Sequence, residues 1–575
     1  LLTPSSRLHF QTLLDALVLQ TDLNPGPEAI VYVETDKPTI QVSRRQFRET
    51  VSSYAAGMKK IGLKPGELVV IAHTQNLESI YAFWGAMLVG AIPSMFPTLT
   101  EKLNAEIYMR NLAELVQLSD VRMILTTDDF APELQQHVTC QTIGSHKLAR
   151  SITKADVNEF VPHQPDQNEI AFLQHSSGTT GLQKGVALSH SAVLNQLANY
   201  GQAIQLNPQD VIVSWLPLYH DMGLIAGFLL PLVQGIPLVL MSPFDWVRHP
   251  ALLFQAIHDQ RGTLCWLPNF AYNHCARRIR QRDTDGLSLE GMRLFVNCSE
   301  PVYHESHQLF LRRFAPNGLQ PEMLSVSFAM AENTFGVTQT PPGQPANLDI
   351  INRSQLEREG HAQPVPADHP QADIRVSCGP PIRGTTIRVV DDAGRSLPER
   401  TVGEVAIQSD CMLAGYYKRP DLDPFQDGWY LTGDMGYLAG GEVYIVGRSK
   451  DLIINAGKNI YPQDIEAIVN RVPGVHPGRC VVFGVPDERE GTELIAVVAQ
   501  VRQPSDLEDL DRRQTIGRAI RQEVARQSLV TVSYVHLVGP KWLIKTSSGK
   551  IARSANREKW LAEKQPKIIL PKMPP

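Results

Sequence analysis

Between Gln174 and Val186 the chain packs Ser176, Ser177, Gly178, Thr179, Thr180, Gly181 and Lys184 into nine positions. Glycine lets backbone N–H groups turn toward one anion, hydroxyls add donors, and an ammonium supplies the point charge that phosphate oxygens need. Such a stretch suits the capture of a polyphosphate. A Ser/Gly surface loop has the same composition, but the flanks argue for a built cradle, because Glu169–Gln174 and Val186–His190 both read as short strands. It is not a Walker-type loop, which has four residues between its first glycine and Gly-Lys-Ser/Thr and runs directly into a helix. Here Lys184 comes three after Gly181 and Gly185 follows it.

Four more polar clusters stand after strand-like runs. Val211–Leu216 leads to Pro217–Asp221 with His220, and Leu264–Leu267 leads to Pro268–Tyr272. Arg293–Val296 leads to Asn297–Pro301, and Leu324–Ser327 leads to Phe328–Glu332. Open α/β sheets keep their ligands at the carboxyl ends of strands. One site lined from several strand ends is therefore expected. Lys545–Lys550 adds a basic turn close to the end of the chain.

The elements that must hold these groups follow from patterning. Ser43 and Gln46 form a capping box opening a helix to Ile61, and Gly62 stops it. Leu68–Ala72 is a strand, Asn76 caps a helix through Val89, Gly90 ends it, and Ala91–Met95 is a strand. A helix near Asn104–Leu118 and a strand at Val121–Thr126 continue the alternation of an open α/β sheet. Ser191–Ala203 reads as helix. Met222–Met241 carries no charge over twenty residues, but Pro231, Gln234, Gly235 and Pro237 split it into a short helix and a strand at Ile236–Met241. No membrane span is expected. Asn347–Arg375 is a polar connection containing Pro364, Pro366 and Pro370. It leads to a strand-rich part with Thr386–Val390, Gly403–Gln408, Gly428–Thr432 and Glu442–Val446. Beyond Gly447–Asp451 come Leu452–Ile454, a helix at Pro462–Asn470, strands at Arg479–Phe483 and Leu494–Val501, and an amphipathic helix with Ile516, Ile520 and Val524 on one face.

At 575 residues the chain exceeds what one hydrophobic core holds, so at least two domains are expected. The formal charge of −5 gives no reason to expect nucleic acid. Seven cysteines without a C-x-x-C pair or zinc spacing read as free thiols in a reducing, cytoplasmic setting.

Taken together, these segments resemble the adenylate-forming superfamily of acyl- and aryl-CoA synthetases, luciferases and peptide-synthetase adenylation domains, over almost the whole chain. Gly178–Gly185 is similar to its phosphate loop, with Gln183 where proline is usual. Thr432-Gly433-Asp434, Gly447–Asp451 and Lys550 are similar to its ribose, hinge and C-terminal lysine elements. Within it the chain resembles fatty acyl-AMP ligases, on Trp215–Leu224, Pro268–Tyr272, Glu300-Pro301, Val376–Gly379 and Asn459–Glu466, with Asn347–Arg375 in the place of the characteristic insertion.

The resemblance implies a large N-terminal domain over 1–447, built of parallel-type α/β sheets plus a β-rich subdomain and carrying the insertion at 347–375. A hinge at 448–451 and a small mobile α+β domain over 452–575 follow. It implies ATP and Mg²⁺ as cofactors and a fatty acid as substrate. The acyl acceptor is an acyl carrier protein, or the carrier domain of a polyketide or peptide synthetase. Lys550 bridges carboxylate and α-phosphate, Glu332 holds Mg²⁺, and His220 stands at the mouth of the acyl channel. Ser176–Gly181, Lys184, Asn297, Phe328, Ala329, Ala331, Asp434 and Arg448 surround the nucleotide, and Lys450 is the hinge. Trp266, Phe270 and Tyr272 line an acyl pocket. Asp221 is left as a metal ligand or a loop-turning residue, outside the catalytic set. Two departures fall beside the base pocket. Phe328-Ala329 replaces aromatic-Gly, and Asn297-Cys298-Ser299-Glu300 replaces Asn-Gly-Ala-Glu. Two other readings stand beside this one: an acyl- or aryl-CoA synthetase, and a nucleotide-binding regulator without turnover.

Overall fold

In the computed structural model the described residues are 10–74, 76–100, 105–175, 184–455, 458–487, 492–528, 530–546 and 549–564. Two seven-stranded sheets make up the body of the large lobe. The first runs Leu324–Val326, Leu294–Asn297, Leu264–Leu267, Ile212–Ser214, Leu238–Met241, Glu28–Val33, Ile40–Ser43, and is parallel up to its last, antiparallel pair. The second runs Gly415–Tyr416, Gly185–Ser189, Ile170–His175, Ile92–Phe96, Leu68–Ala72, Val121–Thr126, Gln141–Gly144. Its last five strands are parallel, whereas Ile170–His175 and Gly185–Ser189 pair antiparallel.

Local signals explain many of these boundaries. The Ser43–Gln46 box is formed, and Asn76 caps the helix Leu77–Val89. Gly90 ends that helix at φ +84°, a conformation a β-carbon disfavours. The uncharged window is a buried helix, wound in the wide π form over Met222–Leu229 and continuing to Gln234, followed by the strand Leu238–Met241. No helix among the described residues is long and apolar enough to cross a membrane.

The β-rich part is an antiparallel sheet of Thr385–Val390, Gly403–Ser409, Trp429–Ala439, Phe425–Gln426 and Glu442–Arg448. The small lobe packs the helices Pro462–Val469 and Leu510–Ser528 around the strands Val475–Asp487, Thr492–Val501 and Val532–Val538. A buried cluster from Ile453 to Val532 belongs to this lobe alone. The polar connection is folded rather than loose. Leu348–Asn352 and Ala372–Val376 pair antiparallel and enclose the helix Arg353–Glu359.

Candidate active site

The carboxyl ends of the first sheet's strands deliver the acidic and basic groups. Asp221 caps the π-type helix by accepting the N–H of Met222 at 2.7 Å, and His220 Nδ1 lies 2.5 Å from its Oδ1. Burial pushes the Asp221 carboxyl up, but the His220 ring, the Met222 N–H and the nearby Lys550 together hold it below the ordinary range. Glu300 accepts the backbone N–H of Phe270 at 2.9 Å. Burial pushes its carboxyl up, and Lys550 and His220 draw it part of the way back.

Lys550 reaches this cluster from the small lobe. Its ammonium donates to the backbone oxygen of Ser299 at 2.7 Å. Ser299 sits at φ +67°, left-handed backbone that residues with a β-carbon rarely adopt. Such strain gathers at functional sites, and here the strained residue is the one that receives the lysine.

The second group of residues surrounds Glu332, which leaves the hairpin Phe328–Thr338. Ala329 bridges Gly336 across that hairpin, and Phe328 oxygen accepts the N–H of Val337 at 2.8 Å. Phe328, Ala329 and Ala331 are half-buried on this turn. Burial pushes the Glu332 carboxyl up, while the hydroxyl of Tyr416, 3.3 Å from its Oε1, draws it down. The Lys184 ammonium stands 4.7 Å from the centre of the Tyr416 ring.

Asp434 is aimed by a β-bulge. Ala406 pairs with Leu431 and Glu404 pairs with Met435, so Thr432, Gly433 and Asp434 oppose the single residue Val405. Gly433 takes φ +72° there, and such a bulge re-directs the side chain that follows. Asp434 is buried and receives the Arg448 Nε–H at 3.1 Å. Lys450 is exposed in the turn Ser449–Asp451, whose Asp451 accepts a hydrogen bond from Arg553 of the small lobe at 2.7 Å.

The remaining residues expected at the site divide into three groups. Ser176, Ser177, Gly178, Thr179, Thr180 and Gly181 lie outside the described residues. Asn297 is fully buried, and its amide N–H groups turn to Asn269 Oδ1 and His307 Nε2, so its side chain braces strand and helix instead of facing an opening. Trp266 and Tyr272 are corrections of the same kind. Trp266 is 1% exposed and donates to the Tyr200 hydroxyl, and Tyr272 is 0% exposed and donates to Phe295 oxygen. Both are core residues, because the strand and helix that carry them are covered on those faces. Phe270 stays 44% exposed, edge-on to the stacked pair Trp215 and Trp246. Asp221, open in the sequence between a metal ligand and a loop-turning residue, joins the site, and Tyr416 joins it without having been expected there. The first had a signal, its place beside His220. Tyr416 had none, since its partners stand far away in the chain.

Among the described residues no group of three or more His, Cys, Asp and Glu could hold a metal ion. Mg²⁺ binds through one or two carboxylates plus substrate phosphates and keeps several waters. Glu332, with Lys184 nearby on the Tyr416 ring, fits that mode of binding and not a protein-only cage.

The sequence pattern of the AMP-binding enzymes matches residues 19–417, and that of the AMP-binding enzyme C-terminal domain matches residues 464–550. The chain belongs to the AMP-binding enzymes. Among characterised members of this family it is similar to the medium-chain-fatty-acid–[acyl-carrier-protein] ligase JamA of Moorena producens (strain JHB), with 30% identity over 97% of this chain and 96% of that one. Among solved structures it is similar to one from a study of fatty acyl-adenylate ligases from E. coli and L. pneumophila. The TM-score is 0.86 at 26% identity, covering 96% of this chain and 98% of that one. A fatty acyl-adenylate ligase from L. pneumophila, solved with acyl adenylate and pyrophosphate, aligns with a TM-score of 0.74 at 27% identity over 97% and 98% of the two chains. The large and small lobes of the AMP-binding enzyme fold are thus both present in this chain.

Proposed function

We propose that this enzyme joins a fatty acid carboxylate to AMP from ATP, releasing pyrophosphate. The acyl group then passes to the phosphopantetheine thiol of an acyl carrier protein, or of a carrier domain in a polyketide or peptide synthetase. The observation that carries the proposal is the seat of Lys550 on Ser299, beside His220, Asp221 and Glu300.

In the first step a carboxylate oxygen attacks the α-phosphorus and the bond to pyrophosphate breaks. Two anions must meet. At about 4 Å they repel by roughly 1 kcal/mol in water and roughly 4 kcal/mol at an effective dielectric of 20. A fixed cation between them offsets that cost without any protein nucleophile. Lys550 supplies it in this reading, and Lys184 with the stretch 176–181 takes the β- and γ-phosphates. Asp434 accepts the ribose hydroxyls, with Arg448 close by. Mg²⁺, held through Glu332, neutralises phosphate charge when bound. His220, turned by Asp221, stands where the carboxyl enters. In the second step the thiol sulfur attacks the acyl carbonyl and AMP leaves with the bonding pair.

Transfer to a carrier protein rather than to CoA is supported by the insertion, which is tied to the small lobe. Arg375 contacts Asp464 at 2.9 Å, and Arg353 donates to Gln527 oxygen. Free thiols at all seven cysteines support a cytoplasmic setting. The test supplies ATP, Mg²⁺ and fatty acids of graded length, with and without CoA, and weighs the products. Acyl-AMP in both arms is expected, and a CoA thioester would replace this reading with an acyl-CoA synthetase. Absence of ATP–pyrophosphate exchange across the whole acid panel would instead indicate a regulator without turnover.

A further inference from the structure

We infer that Tyr416 is a positioning residue for nucleotide capture: its ring seats the Lys184 ammonium while its hydroxyl holds the Glu332 carboxylate, so one side chain aligns both groups before ATP arrives. The inference rests on the reading above that Lys184 and Glu332 meet the phosphates.

The backbone fixes Tyr416 between the two. Gly415–Tyr416 pairs antiparallel with Gly185–Ser189, setting Tyr416 opposite Val186. Tyr417 N–H donates to Gly185 oxygen at 2.8 Å and Ala414 N–H donates to Ala187 oxygen at 2.9 Å. One residue earlier, Leu413 N–H donates to the backbone oxygen of Glu332 itself at 2.8 Å. The segment 413–417 is therefore stapled at one end to the residue after Lys184 and at the other to Glu332.

The hydroxyl is fixed as well. Tyr430 is buried, and its oxygen lies 3.3 Å from that of Tyr416. An ionised carboxylate only accepts hydrogen bonds. Tyr416 therefore gives its single proton to Glu332, and Tyr430 donates to Tyr416. An aromatic seat also suits Lys184. A lysine stem has many rotamers, and a cation–π contact narrows them without adding a negative charge that would compete with phosphate. The nearby acid Asp421 is itself engaged by Arg419 at 2.7 Å.

The test compares Tyr416→Leu and Tyr416→Phe with the wild type by calorimetric titration of ATP in EDTA and then in Mg²⁺, and by exchange kinetics. Tyr416→Leu is expected to weaken metal-free ATP binding by about two- to fivefold, the scale of one exposed cation–π contact. Its KM for ATP should rise, with kcat and the fatty acid KM little changed. Tyr416→Phe keeps the ring and should keep metal-free affinity, while needing more Mg²⁺ to reach saturation. In a Lys184→Ala background, Tyr416→Leu should add nothing to the loss of metal-free affinity. Equal loss in the Leu and Phe variants without metal, a parallel rise in fatty acid KM, or the full Leu effect in the Lys184→Ala background would each overturn the inference. A wild type that binds no ATP would instead defeat the reading beneath it.

Discussion

Arg375, on the last strand of the insertion, places its guanidinium 2.6 Å from Asp373 of its own strand and 2.9 Å from Asp464 in the first helix of the small lobe. The Arg375 side chain is only 13% exposed. Burial would lower its affinity for a proton, but the two carboxylates outweigh burial and hold it charged. A cation shared in this way ties the insertion to the lobe that brings Lys550.

Arg375→Ala should loosen that tie. Breaking a fully buried pair costs about 3–5 kcal/mol, and the loss here should be smaller because Asp464 stays 34% exposed. Limited proteolysis should cut faster in the turn Ser449–Asp451, and adenylation should slow because Lys550 is seated less often. Cleavage and turnover equal to wild type would show that Arg375 does not restrain the lobe.

Glu357, on the insertion helix, gives a pH signature. Burial first, with Asp464 and Asp373 adding, raises its carboxyl to about 7, against Arg353 and Lys458, which pull it down. A raised carboxyl favours the fold while it is neutral. Its contribution is full below the ordinary value of 4.5 and is lost as pH climbs through about 7. The melting temperature of Glu357→Gln, relative to wild type, should therefore rise between pH 5 and pH 8. An offset that stays constant across that range would contradict the assignment.

Asp221→Asn keeps an acceptor for the Met222 N–H, so the helix cap and the melting temperature should change little. It removes the charge beside His220 and Lys550. Adenylation should fall on the order of 10²-fold, the scale of a small misplacement of reacting groups. Turnover within twofold of wild type would return Asp221 to a turn-forming role.

Much of this arrangement was legible in the chain. The Ser43–Gln46 box, Asn76 and Gly90 act within one helical turn, so their meaning is local. The polar clusters after Val211–Leu216 and Arg293–Val296 were readable because apolar runs end abruptly at them. What was not legible depends on which face is covered. Trp266 and Tyr272 look the same in sequence whether they line a tunnel or fill a core, since elements buried on both faces carry no alternation. Asn297 stands in a motif position, yet its amide N–H groups go to Asn269 and His307. Tyr416 and Glu332 are 84 residues apart, and Arg375 and Asp464 are 89 apart, so neither pair leaves a local pattern.

The most direct measurement is ATP–pyrophosphate exchange by Lys550→Ala with a saturating fatty acid, beside a melting curve confirming that the variant is folded. Removing the cation that reaches Ser299 from the small lobe should slow exchange by about 10²–10³-fold, as loss of an oriented transition-state donor does. Exchange close to the wild-type rate in a folded Lys550→Ala protein would contradict the central claim that this side chain lets carboxylate and α-phosphate meet.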